Sequence, residues 1–351
     1  MRSFQVCRCG EPMQFAERVD PKPTGSEVLL KVLAAGVCHS DLHIWEGFYD
    51  MGGGKILRLQ ERGVNLPLTM GHENVGEVVA VGPRARGVKV GDKRLVYPWI
   101  GCGTCKVCKR GEEQLCMSPR FLGVYRDGGY ASHLMVPHPR YLLPLGKMEP
   151  LEAAPLACSG LTAFSALKKL GNLVKSEPVV VIGAGGLGLM AIAIVKAMKG
   201  KGTIAVDIDP EKRAAAKKLG ALAAIDPNAP DALAQLKKAA SGGVWAAIDF
   251  VGNEQTTQLG VDGLVKGGKL IVVGLFGGQI TISLPLIPIR AMTIQGSYTG
   301  SLAELEELVK LVRNKPLPLI PTKTVRLEQA QDIIKDLKAG KVIGRRVLTP
   351  A

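Results

Sequence analysis

The stretch Glu177–Gly200, EPVVVIGAGGLGLMAIAIVKAMKG, constrains the fold of this 351-residue chain more than any other. Four β-branched residues run into a glycine turn that opens directly into an apolar helix. A strand apolar on both faces, followed at once by such a helix, belongs in a parallel sheet covered by helices on both sides. Gly183, Gly185 and Gly188 make GxGxxG in that setting. The first glycine permits a sharp exit from the strand, the second lets backbone approach a pyrophosphate, and the third lets helix and strand pack closely. The N–H groups of Gly186 and Leu187, opening the helix, lie where a phosphate charge is stabilised. A glycine turn serving packing alone is the competing reading. Asp207, near the end of TIAVDID, suits a carboxylate that accepts from ribose hydroxyls and repels the extra phosphate of NADP, so NAD is the expected dinucleotide. Asp209 instead suits the N-cap of PEKRAAAKKLG, with Pro210 in its first turn.

The same rhythm continues through ALAAIDP, PDALAQLKKAA, VWAAIDFVG, a helix near Thr256 to Val265, KLIVVGLFG and AMTIQGSY, giving about six parallel strands in a doubly wound sheet. Residues 1–155 have another texture. SEVLLKVLAAGVC, GHENVGEVVAVG, GDKRLVYPW and GYASHLMVP read as short strands curled into a barrel-like sheet. Two amphipathic helices and a terminal strand, KVIGRRVL, return to complete that first unit. The expected division is therefore 1–155 with 293–351, enclosing a nucleotide unit at 156–292. DMGGGKILRLQERGVN, Asp50 to Asn65, fits neither texture and reads as a surface lobe or loop.

Forty-five basic against 31 acidic residues give a net charge of +14, yet no basic block interleaved with aromatics or reading helix accompanies it. Nucleic acid is not an expected partner, and solvated lysine-rich faces account for the charge. MRSFQVCRCG lacks the apolar run of a secretory leader, and the apolar stretches are too interrupted for a membrane span. The expected setting is cytoplasmic, where clustered cysteines hold metal more often than they pair.

Cys102, Cys105, Cys108 and Cys116 are spaced C-x2-C-x2-C-x7-C. Four thiolates suit tetrahedral zinc and leave no open position, so the lobe 101–117 is expected to hold a structural ion; an iron–sulfur centre and bare thiols are the alternatives. Cys38, His72 and Cys158 are scattered, but as a Cys2His set they would leave a fourth position for an alcohol oxygen, whose pKa zinc would lower. Spacing alone does not bring them together, and a lone Cys38 or Cys158 is more often an inert buried thiol.

CHSDLH, GHENVGEVVAVG, the four-cysteine lobe, LACSGLTAFSAL, GAGGLG, Asp207 and KVIGRRVL occur in an order that resembles the zinc-dependent alcohol dehydrogenases of the medium-chain dehydrogenase/reductase superfamily, over nearly the whole chain. The resemblance implies a GroES-like β-barrel catalytic domain, a Rossmann domain binding NAD, and an active site in the cleft between them. It implies two zinc ions per subunit: a catalytic one on Cys38, His72 and Cys158, and a structural one on the four-cysteine lobe. Ser40 becomes the hydroxyl that meets the substrate oxygen, and His43 the far end of its proton relay. His39 approaches the cofactor phosphates, Lys212 the adenosine ribose and Arg345 the pyrophosphate. Glu73 sits behind the zinc, tuning or transiently coordinating it, and Asp41 is an outer carboxylate. The assembly implied is a homotetramer or a homodimer.

Trp45, Tyr49 and Trp99 lie near these motifs and are candidates for a substrate pocket. The lengthened Asp50–Asn65 connection favours a medium-sized, cyclic or aromatic alcohol or carbonyl over ethanol. Lys55, Arg58 and Arg62 within it leave a cyclic hydroxyacyl-CoA as an alternative, and a double-bond reductase or a nonenzymatic zinc protein stand further off.

Overall fold

A computed structural model describes residues 1–318 and 320–350. Two β-systems share one continuous buried core. The long strand Val28–Val37 is the spine of the first. It pairs antiparallel with Glu73–Val81 on one side, and on the other with His133–Val136 along its first half and Arg345–Thr349 along its second. Lys93–Val96 and Leu142–Pro144 extend this sheet beyond Glu73–Val81, and Thr322–Arg326 extends it beyond Arg345–Thr349. The C-terminal strand thus joins the N-terminal sheet. The strand Thr322–Arg326 was not anticipated; its TKTVR pattern is largely exposed and carries little apolar signal.

The second system is a six-stranded parallel sheet in which Val179–Ile182 and Val244–Asp249 lie at the centre. Thr203–Val206 and Ala223–Ile225 continue it on one side, Leu264–Val272 and Thr293–Gly296 on the other. All four residues of Val179–Ile182 are buried, which is why that run is uniformly apolar rather than alternating. The helix Gly186–Ala197 that follows is buried around most of its surface. Pro210–Leu219 begins as the sequence implied, with the Asp209 side chain accepting from the N–H groups of Glu211 and Lys212. The expected division after residue 292 needs correction: Thr293–Gly296 is hydrogen-bonded to Leu264–Val272, so that boundary would cut an edge strand from its sheet.

The Asp50–Asn65 segment is also more ordered than a loop. Phe48–Asp50 pairs antiparallel with Ile56–Arg58, a 3-10 turn spans Gln60–Arg62, and Leu59 and Val64 are buried. Only two apolar anchors hold it, too few to produce a periodic pattern. Among the described residues no helix is long and apolar enough to cross a membrane.

Candidate active site

The scattered ligand set comes from three breaks in regular structure. Cys38 follows Val28–Val37 and N-caps the helix His39–Glu46, His72 immediately precedes Glu73–Val81, and Cys158 N-caps the helix Ser159–Leu170. Both cysteines therefore stand at the amino end of a helix. One ligand atom from each of Cys38, His72 and Cys158 lies within 4.8 Å of the other two, and all three residues are buried. The Cys38 and Cys158 sulfurs are 3.9 Å apart. Two sulfurs each about 2.3 Å from one tetrahedral ion would be about 3.8 Å apart. A hydrogen bond from Cys158 holds the Cys38 thiol well below the ordinary thiol range, and Cys158 as donor is pushed up.

His72 Nδ1 lies 3.2 Å from Asp41 Oδ1. The two are close enough to attract but not aligned as a hydrogen bond, so both nitrogens of this buried ring are without a partner among the described residues. Burial opposes a charged His72, but the Asp41 carboxylate outweighs it and raises the ring's pKa well above its usual value. A buried imidazole with unengaged nitrogens beside two thiols fits a zinc-ligand set. Asp41 Oδ2 also accepts from the Cys38 N–H and the Tyr130 hydroxyl, each at 2.9 Å, and so ties both sides of the cluster together.

Glu73 lies behind the cluster, held by two contacts of its own. Its Oε1 accepts the Ser159 N–H at 3.0 Å and its Oε2 pairs with the Arg345 guanidinium, so neither oxygen joins the converging ligand atoms. Burial lifts its carboxyl to about 7, against the pull of Arg345. Arg345 in turn lies beside the opening of the glycine helix, where a Cβ on Gly186 would come within 2.9 Å of its Nη1. One buried ion pair thus connects the backing of the ligand cluster to the glycine turn.

In that turn Gly183 has φ +90°, and a Cβ on Gly188 would lie 1.9 Å from the Gly183 carbonyl oxygen. Gly185, by contrast, has no atom within 4 Å of where a Cβ would stand, an open face suited to a diphosphate. Asp207 accepts from the Ala184 N–H at 2.7 Å and the Asp209 N–H at 2.9 Å, so it braces the turn from the end of its strand. Lys212 Nζ lies 3.7 Å from Asp209.

A cavity of about 110 Å3 opens over Cys38 and Cys158. His39, Ser40, His43 and Leu187 reach it, as do Tyr49 and Trp99. Trp45 does not. It points to the far side of its helix, where Nε1–H donates to the Glu11 carbonyl at 2.7 Å and the Lys338 ammonium stands 5.7 Å above the ring. Size is a poor guide here, since cavities of about 840 and 870 Å3 lie away from Ser40 and His43.

Sequence reasoning missed Phe276 and Tyr298, which complete the aromatic wall, and Thr162, Ser297 and Thr299, whose buried hydroxyls have no partner among the described residues. Thr299 is also a β-branched residue at φ +45°. Its neighbour Gly300 is pinned through its carbonyl by the Tyr97 hydroxyl at 3.0 Å. For all of these missed residues but Thr162, which lies on the helix Ser159–Leu170, a usable signal existed: they follow the carboxyl ends of Leu264–Val272 and Thr293–Gly296, where parallel sheets place their ligands.

The four-cysteine lobe is built differently. Its sulfurs lie 3.9 Å (Cys102–Cys108), 3.4 Å (Cys105–Cys108) and 3.8 Å (Cys105–Cys116) apart, and all four converge within 4.8 Å. The Thr104 hydroxyl and nearby backbone N–H groups bring the Cys102 thiol down to about 5, while burial pushes Cys108 up to about 12. Glu113 locks the loop to the barrel, accepting from the Gly101 N–H and the Tyr141 hydroxyl, each at 2.9 Å.

Comparison with known proteins agrees with this geometry. Residues 24–147 match the alcohol dehydrogenase GroES-like domain, and residues 186–314 match the zinc-binding dehydrogenase family. An NAD-dependent alcohol dehydrogenase of Sulfurisphaera tokodaii is 40% identical over 352 residues, covering 100% of both chains. A D-arabinose 1-dehydrogenase (NADP(+)) of Saccharolobus solfataricus is 33% identical and covers 97% of this chain and 95% of its own. The crystal structure of the alcohol dehydrogenase from Aeropyrum pernix superposes with a TM-score of 0.89 at 30% identity, again over 100% of both chains. With two zinc-type clusters and a dinucleotide turn in one molecule, this chain belongs to the zinc-dependent alcohol dehydrogenase family of the medium-chain dehydrogenase/reductase superfamily.

Proposed function

We propose that the protein oxidises a compact apolar alcohol to its carbonyl compound, reversibly, with NAD as hydride acceptor. The observation that carries this reading is the convergence of Cys38, His72 and Cys158, the two cysteines opening onto a cavity that Ser40 and the glycine-turn residue Leu187 also line. Cys38, His72 and Cys158 would hold a catalytic zinc, and Cys102, Cys105, Cys108 and Cys116 a structural one. When bound, zinc supplies Lewis-acid polarisation of the substrate oxygen and NAD supplies the hydride acceptor. The remaining work falls to the chain. Ser40 both donates and accepts, so it can take the hydroxyl proton and pass it outward. Burial, helped by the neighbouring His39, lowers the His43 pKa to about 4, so the ring is neutral between turnovers and hands a proton on to solvent rather than keeping it. The open face at Gly185 and the Arg345 guanidinium receive the diphosphate, Asp207 the ribose hydroxyls, and His39 and Lys212 lie along the same edge. The aromatic walls from Tyr49, Trp99, Phe276 and Tyr298 exclude water around the transfer.

Residues 1–155 with the C-terminal strand form the catalytic unit in this reading, and the chain works as a homotetramer in the cytoplasm. The narrow cavity favours a small alcohol, with a single ring as the upper limit.

Metal analysis combined with alcohol-dependent NAD reduction tests the proposal. The expected result is two zinc ions per chain and turnover that disappears on removing the more labile ion and returns when it is restored. One firmly held zinc with no hydride transfer to NAD would overturn it.

A further inference from the structure

The hairpin at Phe48–Arg58 packs on the loop Phe276–Gln279 of the nucleotide unit, glycine against glycine. A Cβ on Gly52 would lie 2.7 Å from the carbonyl carbon and oxygen of Gly278 and 2.6 Å from Gln279 Cγ. A Cβ on Gly277 would lie 2.7 Å from the Asp50 carbonyl oxygen. Only residues without side chains permit this approach, and it occurs from both directions.

Each partner is fastened to its own unit. Leu59 N–H donates to the Gly47 carbonyl at 2.9 Å on the hairpin side. On the loop side Phe276 N–H reaches the Val251 carbonyl at 3.2 Å, Gly277 N–H the Gly252 carbonyl at 3.1 Å, and Gln279 N–H the Glu254 carboxylate at 3.1 Å. Among the described residues no hydrogen bond or ion pair joins the hairpin to the loop. The contact is one of shape alone, tight when seated and cheap to separate.

What it positions is the substrate cavity. Tyr49 precedes the hairpin tip and Phe276 precedes Gly277, and both line the cavity over Cys38. Tyr49 leans on the His43 ring at 4.8 Å and Phe276 stacks on the His39 ring at 4.6 Å. With the contact seated the remaining space is about 110 Å3. A closed apolar cavity of roughly 150 Å3 takes benzene, so a single ring lies near the limit of what this one admits. We infer that the Gly52–Gly278 contact sets the largest alcohol the site accepts, by holding the Tyr49 and Phe276 walls together. The inference rests on the cavity being the alcohol site proposed above.

The test is the ratio of kcat/KM for benzyl alcohol to that for ethanol in the full-length, zinc-loaded enzyme with NAD. In Gly52→Ala the added methyl unseats the contact, and the ratio should rise about tenfold, the scale at which pocket fit discriminates. Gly54→Ala is the control: its φ is also +75°, but nothing lies within 4 Å of the added carbon, so the ratio should stay put. Gln279→Ala removes the side chain under the hairpin tip without backbone strain and should move the ratio the same way by a smaller factor; it also stands in if Gly52→Ala does not fold. Equal shifts in both glycine variants, or unchanged ratios in Gly52→Ala and Gln279→Ala while ethanol turnover persists, would overturn the inference alone. No NAD reduction by the parent with either alcohol would overturn the alcohol-dehydrogenase reading and this inference with it.

Discussion

The two cysteine clusters reach the same ligand chemistry by opposite routes. Cys102, Cys105, Cys108 and Cys116 lie on one short loop, partly exposed, and mainly order that loop. Cys38, His72 and Cys158 come from three distant segments and are entirely buried. Of their outer partners, Asp41 and Glu73 neighbour the ligands in sequence, while Tyr130 and Arg345 belong to still other parts of the fold. A local cluster can be lost with little damage to the chemistry elsewhere, whereas a dispersed one converts the whole tertiary structure into a site.

That contrast can be broken experimentally. Cys158→Ser should lower kcat/KM by roughly a thousandfold or more, since Lewis-acid assistance is worth several kcal/mol, with one zinc retained per chain by metal analysis. Equal loss of both ions would erase the distinction between the clusters. Cys105→Ser should do the reverse, destabilising the protein by about 4 kcal/mol, as losing a structural metal does, while the folded fraction measured by active-site titration keeps its turnover. A proportional loss of turnover per folded molecule would show the lobe to be part of the chemistry. Asp41→Asn should sharpen the comparison by weakening zinc at the dispersed site by about 10–100-fold, read as faster loss of activity to a chelator, with the lobe's zinc unaffected.

The lobe and the glycine turn were legible because their chemistry is written in consecutive residues. The parallel sheet was legible because buried central strands such as Val179–Ile182 cannot hide their composition. The meeting of Cys38 with Cys158 was different: no periodicity encodes it, and only resemblance to a known family drew these residues together beforehand. Trp45 shows the limit of proximity in sequence. It sits two residues from His43, yet helical geometry carries it away from the cavity to Glu11. Glu73 shows a second limit, because adjacency to a ligand does not reveal that both carboxylate oxygens are already engaged. The hairpin was invisible for want of apolar repeats, and its glycines gain meaning only opposite Gly277 and Gly278.

Arg345–Thr349 lies between Thr322–Arg326 and Val28–Val37, joining residues separated by most of the chain. During synthesis the N-terminal strand must wait with one edge partly unsatisfied until this distant segment emerges and docks. Contacts of such long sequence separation form slowly. Because Arg345 also neutralises the carboxylate behind His72, the metal pocket acquires its final electrostatic setting only when the barrel closes. Assembly order and catalytic competence are therefore linked through a single strand.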